Sequence, residues 1–268
     1  MKKTPIILLI CIVLPLLHSC DKNDNFNLFS ANDDLALGQQ VAQQIASQPS
    51  MYPVLDPVNY PEAYAYLDML VGRILNSGEV TYRNEFAWDV HIIENDSILN
   101  AFAAPGGYIY VYTGLIKYLD TEDHLAGVLG HEIAHADLRH ASRQLQASYG
   151  ISLLLSIALG EDPGAMEQIV GQIAGTLAGL KYSREYEREA DVRSVRYLAA
   201  TGYACNGAAG FFNRLKSEGK CNANIVWLST HPDPCQRIES INEMANVIGC
   251  STENLNPTSY FDFISLLP

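Results

Sequence analysis

The segment His131-Glu132-Ile133-Ala134-His135 constrains this 268-residue chain more tightly than any other. It matches H-E-x-x-H, a spacing whose chemistry requires a helix. Four residues at 100° each return to within about 40° of the start and rise about 6 Å, so both imidazoles can reach one metal ion from adjacent turns. Glu132 points toward a neighbouring flank, where its carboxylate can take a proton from an attacking water without being a ligand. Two imidazoles plus a carboxylate, with one position open, suit zinc. The third ligand must then come from elsewhere in the chain.

A histidine ten residues after His131 would make the metzincin pattern, but that position is Ala141, and the glycine of that pattern is Leu138. His140 lies five residues beyond His135, roughly 140° around a continuous helix, and is expected outside the site. The acidic run Ser183-Arg184-Glu185-Tyr186-Glu187-Arg188-Glu189-Ala190-Asp191 is the candidate source. On a helix Glu187 and Asp191 share one face and Glu185 and Glu189 another, so one of the two pairs can serve the metal. Without H-E-x-x-H the run would read as a solvated face of Glu/Arg pairs.

The first twenty residues have another purpose. Lys2 and Lys3 precede an apolar run from Ile6 to Leu17, shorter than the roughly 20 residues of a membrane span, which marks a signal peptide over residues 1–19. Leu17-His18-Ser19-Cys20 resembles the lipobox of bacterial lipoproteins, with Cys20 as the acylated residue and His18 an unusual choice at its position. A plain signal peptide with a chance cysteine is the alternative. Residues 20–30 then form a short polar tether, and 31–268 a single domain held at a membrane without spanning it. With 30 acidic against 17 basic side chains and a net charge of -13, the chain offers no broad footprint for nucleic acid or anionic lipid.

The helical hydrophobic pattern starts after Asn32, stops before Pro49, and returns at Leu67, Leu70, Val71, Ile74 and Leu75, with Gly78 placed to end it. Residues 88–93 and 108–112 are rich in strand formers and suggest a small antiparallel sheet. Helices are expected over 122–143, 145–159, 164–180, 184–201, 206–218 and 234–248. The apolar 151–180 stretch is interrupted by Glu161, Asp162, Pro163 and Glu167, and reads as a helical hairpin of the domain or a segment dipping into a lipid surface. The fold class is α+β, predominantly α-helical.

Four cysteines remain beyond the leader. Cys205 and Cys221 flank one expected helix, Cys235 and Cys250 the other. The ends of such helices lie roughly 15 to 20 Å apart, too far for a bridge limited to about 7 Å between Cα atoms. If the helices run antiparallel, the pairs are Cys205–Cys250 and Cys221–Cys235; four free buried thiols are the alternative.

H-E-x-x-H followed by a helix with E-x-x-x-D after Ser-Arg resembles the HtpX and CAAX-prenyl-protease family of zinc metallopeptidases, the gluzincin type. That resemblance implies a zincin-like domain with one Zn2+ per subunit, ligands His131, His135 and Glu187, Asp191 behind a ligating imidazole, and Glu132 as general base and acid. Three further segments carry the likeness over about residues 30–250. Asn100 to Gly107 with Thr113-Gly114 looks like the family's edge-strand element, Arg139-His140 follows the metal helix, and His231-Pro232 with Arg237-Ile238 resembles a segment of its soluble periplasmic branch, of BepA and LoiP type. No tetratricopeptide-like tail is expected after Pro268, and no large membrane chamber for prenyl peptides.

The resulting expectation is an endopeptidase of the bacterial envelope, lipid-anchored with its domain periplasmic, that hydrolyses misfolded or unfolded proteins held as an added strand along residues 103–112, Ala103 and Ala104 included. His231 either donates to the developing oxyanion, occupies a fourth coordination position at rest, or merely turns the chain before Pro232. Tyr182, Tyr186 and Tyr203 are further hydroxyl candidates. The competing class is a tethered binding or chaperone-like protein with structural or vestigial zinc. Closed structural sites usually use four Cys or His ligands, which argues against it.

Overall fold

In a computed structural model, the described residues are 21–23, 25–158, 163–175, 181–223, 225–253 and 258–268; the expected signal peptide and Cys20 lie outside them. Helix α1 (Ala31–Ala46) starts where Ser30 accepts the N–H of Asp33 and the Asp33 carboxylate accepts the N–H of Ser30, a reciprocal cap. Helix α2 (Pro61–Leu75) opens on a proline, whose missing N–H is no loss in a first turn. Strands β1 (Asp89–Ile93), β2 (Ala101–Ala104) and β3 (Tyr108–Tyr112) follow, then α3 (Thr113–Tyr118), α4 (Glu122–Asp137), α5 (His140–Ala158), α6 (Pro163–Gly175), α7 (Arg184–Ala199), α8 (Gly207–Ser217), α9 (Val226–Thr230), α10 (Pro234–Ile248) and α11 (Thr258–Ser265).

The sheet has the order β1-β3-β2 and is mixed, which corrects the antiparallel expectation. β1 and β3 run parallel, while β2 pairs antiparallel with β3. The chain between β1 and β3 is long enough to cross over and inserts β2 on the far side. β3 is therefore central and offers no free edge, so of the expected substrate strand only the β2 part, Ala103 and Ala104, lies at an edge. Tyr112 N–H donates to Asn100 C=O at 3.0 Å, and the antiparallel alternation then turns the N–H and C=O of Ala101 and Ala103 away from β3.

Side chains alternate across this sheet with period two. Val90, Ile92, Ala101, Ile109 and Val111 pack into a core with α2, α4, α7 and α8. Phe102, Ala104, Tyr110 and Tyr112 face the opposite way, onto Leu37, Val41 and Ile45 of α1 and Ile169, Val170 and Ile173 of α6. The second half of the apolar hairpin thus buries its face against α1. Among the described residues no helix is long and apolar enough to cross a membrane.

α4 is buried at every residue but His124. It crosses α8 so closely that a Cβ on Gly127 would fall 2.0 Å from the Ala208 nitrogen. The expected helix 122–143 breaks after Asp137, with neither glycine nor proline at the break. Instead Arg139 takes φ 57°, a strained conformation for a non-glycine residue. Its buried guanidinium compensates by donating to Asp34 Oδ2 at 2.6 Å, Ser30 C=O at 2.9 Å and Phe29 C=O. Asn23 donates to Asp137 C=O at 2.8 Å. The described part of the stretch expected as a tether is therefore packed on the end of the metal-motif helix.

α8 and α10 lie against each other, and disulfides join Cys205 to Cys250 and Cys221 to Cys235, with Cα separations of 6.2 and 5.8 Å. The second closes the segment that carries α9 and His231. Closing a loop of this length stabilises a fold by about 3 kcal/mol through the entropy of the unfolded chain. The double variant Cys221→Ser/Cys235→Ser should lower urea unfolding stability by that amount, and peptide mapping of the unreduced protein should recover both cross-linked pairs.

Candidate metal centre

Helix α7 brings the distant carboxylate to the paired histidines. Ser183 caps it by accepting the N–H of Tyr186, which places Glu187 in the first turn. Small residues let α7 approach α4: a Cβ on Gly130 would meet Ser194 Oγ at 2.8 Å, and Ser194 Oγ donates to Gly127 C=O at 3.2 Å.

At this crossing the Nε2 atoms of His131 and His135 are 3.0 Å apart, and each lies 3.4 Å from an oxygen of Glu187. His231 Nδ1 is 3.0 Å from Glu187 Oε1 and 3.3 Å from His131 Nε2. All four donors fall within 4.8 Å of one another, and none of the four residues is more than 1 % exposed. Zinc bonds of about 2.0 to 2.2 Å in a tetrahedron separate ligand atoms by roughly 3.3 to 3.6 Å, so the imidazole and carboxylate donors fit one such ion. His131, His135 and Glu187 are brought together as expected, and His231 stands with them.

Supports surround this cluster. Asp191 Oδ1 lies 3.1 Å from His131 Nδ1. Arg237 clamps Asp191 with Nε to Oδ2 at 2.8 Å and Nη2 to Oδ1 at 2.6 Å, and its Nη1 donates to Glu187. Its guanidinium also sits over the rings of Phe212 and Trp227. Burial pushes the Glu187 carboxyl up, yet His231, Arg237 and the two α4 imidazoles hold it well below the usual carboxylate range. Against burial and the Arg237 charge, hydrogen bonds to Asp191 and Glu187 raise His131 to about 9. His135 is pushed well below the ordinary histidine value by burial.

Glu132 is fully buried, and neither of its carboxylate oxygens has a hydrogen-bond partner. Burial pushes its carboxyl up, and His231 Nε2 approaches to 3.6 Å. The Trp227 indole also acts on this carboxyl, and a buried carboxylate beside four converging donors, without being one of them, is placed to serve as a base.

Two residues in the centre were not placed by sequence reasoning. His140 is excluded only if the helix is continuous. The break at Arg139 instead sets His140 Nδ1 2.8 Å from His135 Nδ1 and His140 Nε2 3.0 Å from Glu189. Burial pushes His140 down to about 4, and the hydrogen bond from His140 holds Glu189 down at about 2. Arg237 is visible in sequence only as part of the segment after His231. Of the tyrosines, Tyr182 stacks on His135 at 4.0 Å and Tyr186 on His140 at 4.5 Å, whereas Tyr203 donates to Glu122, away from the site. Replacing Arg237 by Leu leaves two buried carboxylates without their cation. Chemical unfolding of the metal-free variant should show a loss of about 3 to 5 kcal/mol.

Residues 61–245 match the family described as Peptidase family M48, a span that holds every residue of this cluster. The beta-barrel assembly-enhancing protease of Escherichia coli (strain K12) is 27% identical over 229 residues, covering 81% of this chain and 46% of that protein. A Vibrio cholerae serotype O1 protein that provisionally carries the same name is 31% identical over 257 residues, covering 90% of this chain and 52% of the relative. The mitochondrial metalloendopeptidase OMA1 of Schizosaccharomyces pombe is 28% identical over 186 residues, covering 69% and 54%. The chain spans about half the length of these relatives.

Proposed function

This chain belongs to peptidase family M48, and from that premise we propose that it is a zinc-dependent endopeptidase acting on misfolded or unfolded proteins of a bacterial cell envelope. The observation that carries the hydrolytic reading is the Glu132 carboxylate, fully buried beside the converging donors of His131, His135 and Glu187 and not one of them.

His131, His135 and Glu187 would hold the ion, and Asp191 would orient His131. Zinc, when bound, polarises the scissile carbonyl and makes a water acidic enough to attack near neutral pH. Glu132 would accept a proton from the attacking water and pass it to the leaving amine, a general base turned general acid. The outward-facing backbone of Ala103 on the β2 edge pairs with an extended peptide by main-chain hydrogen bonds, which favours unfolded segments over folded ones. His231 supplies a fourth donor in the closed arrangement. Tyr182 N–H donates to Thr230 C=O at 3.1 Å, so the segments bearing Tyr182 and His231 cover the centre together. Because the ligands are buried, this cover must shift for a peptide to enter.

The acylated Cys20 suggested by Leu17-His18-Ser19-Cys20 would hold the domain at a membrane. The relatives named for assembly-enhancing proteolysis support an envelope role. Glu132→Gln should lower casein cleavage by about 10²- to 10⁴-fold while zinc content by metal analysis stays at one per chain; a wild type that cleaves no unfolded protein would instead favour a zinc-bearing binding protein. Offered native and denatured forms of one protein, the enzyme should cut the denatured form preferentially, as gel-resolved fragments would show. Equal cleavage of both would contradict the quality-control reading.

A further inference from the structure

The two α4 imidazoles are supported differently. His131 meets a carboxylate directly, through Asp191 at 3.1 Å, backed by Arg237. Behind His135 stands a second imidazole, His140, then Glu189, and Arg143 Nη1 donates to the same Glu189 oxygen at 2.9 Å. Glu189 lies on the partly exposed flank of α7, and His140, which is fully buried, spans the gap between it and His135. His140 lies flat against Tyr186, with rings 4.5 Å apart and 7° from parallel, and Arg143 covers the same tyrosine ring at 4.4 Å. The bridging imidazole is thus held on both edges and one face.

We propose that His140 and Glu189 are positioning residues of the metal centre, a relay that fixes the tautomer and tilt of His135. The inference rests on the peptidase reading above and extends it to residues that contact no ligand atom of the ion. A neutral imidazole donates from one nitrogen and accepts at the other. His140 Nε2 faces a carboxylate and carries the proton, so His140 Nδ1 presents a lone pair. His135 Nδ1 must then donate to it, which leaves His135 Nε2 bare toward His131, Glu187 and the ion. The opposite allocation would put a proton on the ligating nitrogen. Partners of this kind typically change metal affinity by about 10- to 100-fold when removed. The relay depends on the left-handed Arg139, since a continuous helix would carry His140 away.

The test is zinc affinity of the full chain by competition with a chromophoric chelator, a readout independent of proteolysis. His140→Leu removes the acceptor and should weaken binding by about 10- to 100-fold. His140→Asn restores an acceptor near the Nδ1 position and should recover most of the loss. Glu189→Ala, at a partly exposed site, leaves the core intact and should weaken binding by at least about threefold; it decides the matter if His140→Leu does not fold. Wild-type affinity in both His140→Leu and Glu189→Ala would overturn the relay. So would an equal loss in His140→Asn and His140→Leu, which would mark a packing effect. Failure of the wild type to bind zinc would overturn the peptidase reading itself, a distinct result.

Discussion

The imidazoles of His131, His135 and His231 and the carboxylate of Glu187 lie together, buried, where α4 and α7 cross, and the rest of the molecule is arranged so that this costly concentration of polar groups can exist. Burying unpaired charge is far more expensive than any single apolar contact is favourable. Arg237 neutralises Glu187 and Asp191 from one side, while Arg143 and His140 serve Glu189 on the other. Glu187 and Asp191 are consequently held below the usual carboxylate range against the burial that pushes them up.

That centre needs a rigid frame. α4 is enclosed by the sheet, α2, α7 and α8, and its Gly127 admits the α8 backbone at a distance that a side chain would forbid. The late helices reach the site through covalent constraint. The Cys221–Cys235 bridge closes the short segment that holds Trp227 against His231, ring to ring at 4.4 Å, and Cys205–Cys250 ties α8 to the end of α10. The strained Arg139 belongs to the same logic, because its cost is offset by hydrogen bonds to the first turn of α1 and to the segment preceding it.

Much of the centre was legible in the residues because helical spacing alone brings positions four apart onto one face. This holds for His131 with His135 and for Glu187 with Asp191. The extents of α7, α8 and α10 were readable for the same reason, whereas the short α9 and α11 were not expected. The break after Asp137 was not, since Leu138 and Arg139 carry no turn chemistry, and a left-handed arginine is stable only through partners more than a hundred residues away in sequence. The misplacement of His140 follows directly from that break. The sheet was readable as strands but not as pairing, because a parallel partner depends on a crossover whose path leaves no local pattern.

The sequence by itself determined the chemistry on offer: two imidazoles and a glutamate on one helix, and an acidic helix to complete the set. Helical spacing left open which of the two acidic pairs turns inward, a choice the family resemblance implied, and only the tertiary structure decided that Arg237 neutralises that pair and that His140 stands behind His135. The reason is physical. Periodicity reports which side chains share a face, whereas the choice of face depends on the crossing of α4 and α7, and that crossing is set by close packing at Gly130 and Ser194 and by contacts distant along the chain.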